Sequence, residues 1–74
     1  MIAYYNLNTK EIMRTEDYTQ VPVMPFNLDL EGKKAYYKSI NLGFVTIDKE
    51  MGADIYNYTL KFDANGIFTG LQLK

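Results

Sequence analysis

The chain has 74 residues with eight Lys and Arg against nine Asp and Glu, no His and no Cys, and a net charge of −1. That composition excludes disulfides, an ordinary zinc site, a thiolate nucleophile and the commonest general base. Neither an enzyme nor a cofactor is expected, since Ser39, the lone serine, has no base marked for it.

One domain, 1–74, fits this length. At that size hydrophobic gain and chain entropy nearly cancel, and without disulfide or metal the remaining aid is self-association, so a homo-oligomer is expected. No apolar run approaches eighteen residues, and Met1-Ile2-Ala3 opens the chain without a basic region. The expectation is no membrane span, no signal peptide and a cytoplasmic location, the host cytoplasm if the chain is phage-encoded.

Ile2 to Leu7 predicts a strand with Ile2 and Tyr4 on one face and Ala3, Tyr5 and Leu7 on the other. Asn8-Thr9-Lys10-Glu11 reads as a turn and Ile12 to Thr15 as the returning strand. Val21-Pro22-Val23-Met24-Pro25 is apolar, and its two prolines suit an extended connector, not a central strand. Asn27 predicts a helix N-cap, with Asp29 and Glu31 in the first turn, Lys33, Lys34 and Lys38 later and Gly43 as C-cap. Leu30, Tyr36, Tyr37 and Ile40 share its apolar face. A short strand, Phe44 to Ile47, and a polar loop, Asp48 to Asp54, come next.

The last twenty residues give the strongest local signal. Tyr56, Tyr58, Leu60 and Phe62 alternate with polar residues, Asp63-Ala64-Asn65-Gly66 interrupts, and Ile67, Thr69, Leu71 and Leu73 resume. Alternation on both sides of Asn-Gly predicts a hairpin. A two- or four-residue loop puts the apolar sets on one face, whereas a three-residue loop mixes the faces. The class is therefore mostly β (α+β), in the order ββαβββ.

Asp48, Glu50 and Asp54 form the densest carboxylate group and read as a solvated loop. Asp63 to Gly66 is a turn and no calcium loop, since its Gly comes two positions early and Lys74 holds the twelfth place. Nucleic-acid binding has better material. Lys33, Lys34, Tyr36, Tyr37 and Lys38 crowd one and a half helical turns, and the strands add Tyr4, Tyr5, Tyr56, Tyr58 and Lys61. Aromatic stacking holds single strands at ~1–3 kcal/mol per base, with Lys or Arg on the phosphates. The structural alternative is that the tyrosines pack helix on sheet while the lysines are solvated. A second function class is a small accessory protein that binds a protein partner through a sheet edge or through Val21–Phe26.

Tyr58 to Leu73, with its Asn65-Gly66 turn followed by Phe68, Gly70 and Gln72, resembles the first two strands of the Sm-like (LSm) family. The whole chain is also similar to a marine-metagenome family of small uncharacterised proteins, of cyanophage origin, linked to that fold. The resemblance implies a strongly bent five-stranded barrel, a homo-oligomeric ring, and RNA or single-stranded DNA binding without catalysis. Because the chain ends at the hairpin, the remaining strands come from Ile2–Thr15 and the strand order is permuted. The family's second motif, ending in Arg-Gly, is absent. The binding set therefore rests on this chain's own residues: Lys33, Lys34, Tyr36, Tyr37, Lys38, Lys61, Tyr4 and Tyr5. In the accessory-protein reading the partner is a host or phage protein.

Overall fold

A computed structural model describes residues 1–17, 19–47 and 52–74. Its elements run β1 (Ile2–Asn6), β2 (Ile12–Glu16), α1 (Leu30–Ser39), β3 (Leu42–Thr46), a 3₁₀ helix (Gly52–Asn57), β4 (Tyr58–Phe62) and β5 (Phe68–Leu73). The ββαβββ order is as expected. The polar loop expected from Asp48 lies, through residue 51, outside the described residues, and the rest of it forms the 3₁₀ helix, which also takes Tyr56 and Asn57 out of the hairpin strand.

β1 is the centre of an antiparallel sheet ordered β2-β1-β3, and β4 pairs with β5. A single bridge, Glu11 to Thr59, and the Leu60 amide donating to the Lys10 carbonyl join the two sheets at a corner. The strands thus run β3-β1-β2-β4-β5 around a bend. The outer strands β3 and β5 do not pair with each other, so no closed barrel forms among the described residues.

β1 alternates as expected, and both of its faces are covered. Ile2 and Tyr4 pack with Tyr37, Leu42 and Phe44 on the helix side. Met1, Ala3 and Tyr5 pack with Ile12, Ile47, Ile55 and Leu60 on the hairpin side. The molecule is therefore layered helix, sheet, hairpin, with β1 in the middle.

The helix starts later than Asn27 suggests. Asp29 is the N-cap, its Oδ1 accepting from the Gly32 amide at 2.8 Å. A turn precedes it, with the Leu28 amide reaching back to the Pro25 carbonyl. Nor does Gly43 end the helix. Ile40 is the C-cap, Asn41 takes the left-handed conformation (φ 63°), and Gly43 sits inside β3. Gly43 is needed there for space: a Cβ would land on the Tyr5 ring, which lies across this strand. The expected apolar face is buried only at Tyr37, while Leu30, Tyr36 and Ile40 are exposed.

At the hairpin tip the Asp63 amide donates to the Ile67 carbonyl, and Asp63 Oδ1 accepts from the Asn65 and Ile67 amides. Ala64, Asn65 and Gly66 (φ 79°) are the loop, so its length is three and not even. A bulge then places an extra residue, Thr69, on β5, after which Leu60 faces Leu71 and Tyr58 faces Leu73. Those pairs are the ones a two-residue loop would give. Gly70 (φ 155°) follows the bulge in a conformation that side chains rarely adopt.

Candidate nucleic-acid interface

The expected binding set divides into core and surface. Tyr4 is fully buried, Tyr37 nearly so, and Tyr5 is 9% exposed. Tyr4, Tyr37 and Phe44 form a tilted aromatic cluster with centroids 5.1–6.3 Å apart. Tyr5 packs on Phe62 at 5.2 Å. Three of the four tyrosines in the set thus have ring faces already occupied, which removes them as an open stacking platform. Tyr36 is exposed, set edge-on against Tyr37.

Tyr4 and Tyr37 keep their hydroxyls bonded. Tyr4 donates to Glu16 Oε1 at 2.9 Å, and the same oxygen accepts from Arg14. The Arg14 guanidinium lies 4.5 Å from the centre of the Tyr4 ring. Burial, with the Tyr37 hydroxyl and the Glu16 carboxylate alongside, holds the Tyr4 phenol well above its ordinary value. Burial also pushes the Tyr5 phenol up. Neither group is poised for proton transfer near neutrality.

The lysines divide as well. Lys33 Nζ donates to the Pro22 carbonyl at 2.6 Å and is committed to the connector. Thr46 Oγ1 donates to the Gln20 carbonyl and the Tyr37 hydroxyl to the Met24 carbonyl. Three alternate carbonyls, 20, 22 and 24, are therefore gripped by side chains, the arrangement an extended segment with two prolines permits when it cannot join a backbone ladder. Pro22 is buried beneath, while Val21, Val23, Met24 and Phe26 are exposed. Lys61 stands exposed on β4, on the other sheet.

Lys34 and Lys38 remain, one helical turn apart and both exposed. They border a cavity of about 250 Å³ whose other walls are Tyr5, Leu7, Leu42, Gly43 and Phe44. Leu42 and Phe44 belong to the helix-side layer, while Tyr5 and Gly43 face each other across the β1–β3 ladder, so the cavity wraps the free margin of β3. Among the described residues no carboxylate lines it. Lys34 has a loose partner in Glu31 at 3.6 Å, an exposed pair of small worth. The sequence reading missed these walls: Leu7 and Phe44 read as strand residues, Gly43 as a helix C-cap, and Leu42 carried no reading of its own. A larger groove, about 560 Å³, lies on the helix side between Arg14, Met24, Pro25, Tyr36 and Ile40.

The structure therefore brings together Lys34, Lys38 and the edge of Tyr5, and separates Lys33, Lys61, Tyr4 and Tyr37 from them. No helix among the described residues is long and apolar enough to cross a membrane. Comparison with known protein families, curated proteins and solved structures found no match.

Proposed function

We propose that this chain is a noncatalytic binder of single-stranded nucleic acid, RNA or DNA, acting as a homo-oligomeric ring of Sm-like subunits. The observation that carries the reading is the Lys34–Lys38 pair standing over an apolar cavity with, among the described residues, no carboxylate in its walls. With a chain charge of −1, contact with a polyanion depends on such a local patch. Ring formation is supported by the chain's size, at which burial and chain entropy nearly cancel so that contact with further copies adds stability. It is also supported by the edge of β5, unpaired among the described residues, which leaves the β3 margin and its cavity free. Repetition around the ring would set one lysine pair per copy along a common rim, raising the effective affinity for a long strand.

Fluorescence anisotropy with U-rich and A-rich single strands, at about 50 and about 200 mM salt, tests the binding. Binding that weakens with salt, and whose log–log slope falls by about one for each of Lys34→Ala and Lys38→Ala, is the expected result. Light scattering tests the ring: a monomer at high micromolar concentration removes it.

A second reading is favoured by a separate observation. Val23, Met24 and Phe26 are 52%, 59% and 76% exposed, next to the helix-side groove that Tyr36 and Ile40 also line. An apolar patch of this kind suits a protein partner, host or phage, for a small accessory protein. A confirmed oligomer that fails to bind single strands at about 50 mM salt leaves this reading in possession.

A further inference from the structure

We infer that the cavity beneath Lys34 and Lys38 receives a single nucleotide of the bound strand, base inward against the edge of the Tyr5 ring, Leu42 and Phe44 and phosphate outward on the two amines. The inference rests on the single-strand reading above and adds to it where and how one unit of the strand sits.

The cavity has two chemically different parts. Its floor and walls are ring and aliphatic carbon from Tyr5, Leu7, Leu42 and Phe44, with Gly43 contributing bare backbone. Its rim carries two cations spaced by one helical turn. A ligand that matches both parts has a flat apolar body and an anion at one end, as a nucleotide does. An inorganic anion uses the rim alone, and an apolar side chain uses the floor alone. Size sets the stoichiometry: about 250 Å³ lies below the ~300–1,000 Å³ typical of drug-sized ligands, enough for one unit of a strand and not two. The absence of a side chain at Gly43 leaves room for the Tyr5 ring across β3; a Cβ there would collide with the ring. The Tyr5 hydroxyl, close to the same glycine, is protonated at neutral pH as any ordinary phenol is, and can donate to a base edge.

The test uses the whole chain, a labelled ten-nucleotide single strand, and three unlabelled competitors: a nucleoside monophosphate, the matching nucleoside, and inorganic phosphate. The monophosphate is expected to displace the strand, with phosphate and nucleoside each weaker by about tenfold or more, because each satisfies one part of the cavity. Methyl resonances of Leu7 and Leu42 should shift on adding the monophosphate. Lys34→Ala with Lys38→Ala, checked for unchanged folding by circular dichroism, should weaken strand binding by about tenfold or more. Phosphate competing as well as the monophosphate would overturn base insertion. A strand that binds wild type without moving Leu7 and Leu42, or binds the double variant unchanged, would overturn the site and leave the single-strand reading standing. Failure of wild type to bind any strand overturns both.

Discussion

The two faces of the central sheet are held by different chemistry. On the hairpin side the core is mostly aliphatic: Met1, Ala3, Ile12, Ile47, Ile55 and Leu60, with Tyr5 at its edge. On the helix side a ten-residue helix buries only Tyr37, and the contact depends on the Tyr4–Tyr37–Phe44 rings and on hydroxyls and an amine reaching outward to Glu16, Met24 and Pro22. Aliphatic packing is nondirectional and scales with area, whereas the helix side adds directed polar tethers worth little each. The hairpin side should therefore set global stability, and the helix side should set how firmly the connector and α1 are seated.

Leu60→Ala is the strongest way to break this comparison. It removes a 4%-exposed side chain from the aliphatic layer and is expected to cost ~2–5 kcal/mol, read by urea denaturation, a large share of what so small a domain possesses. A loss below ~1 kcal/mol would mean the hairpin is peripheral. Tyr4→Phe comes next, at about 1–2 kcal/mol, since it removes a bond to a carboxylate that still keeps Arg14. This variant also carries a pH signature. The folded phenol has a raised pKa, so its contribution is complete below the ordinary value of 10.0 and is lost as pH climbs beyond it, where the unfolded chain ionises first. The stability gap between wild type and Tyr4→Phe should narrow above about pH 10. The smallest effect belongs to Tyr37→Phe, which keeps the ring and drops the bond to Met24, at about 0.5–1.5 kcal/mol. Its clearer mark should be faster amide hydrogen exchange in the connector with exchange in β1 unchanged.

How far the sequence could be read follows from the same contrast. Strand alternation placed Ile2 and Tyr4 opposite Ala3 and Tyr5 correctly, because period-2 geometry needs no knowledge of the partner. It could not say that both faces would be covered, and for that reason Tyr4, Tyr5 and Tyr37 looked available for stacking. The helix ends were ambiguous for a local reason: Asn27 and Asp29 are both good caps, as Asn41 and Gly43 are both tolerant of tight ends, and only the tertiary arrangement chose between them. Gly43 went to the Tyr5 ring instead. The exposure of Lys34 and Lys38 was legible in the helical pattern; the engagement of Lys33 was not, since Pro22 lies eleven residues away. The lining residues of the cavity come from two strands and the helix, and no spacing along the chain announces them.

The hairpin carries one more lesson. Its three-residue tip is a frameshift of the facing pattern, and the extra Thr69, whose hydroxyl donates to the Lys61 carbonyl, is the compensating shift that restores it. Losing the extra residue should therefore be silent for the pattern: without Thr69 the bulge disappears, Gly70 still faces Lys61, and Leu71 and Leu73 still face Leu60 and Tyr58. A residue inserted between Gly70 and Leu71 would instead set Leu71 against Thr59 and Gln72 against Tyr58, turning the apolar pairs apart.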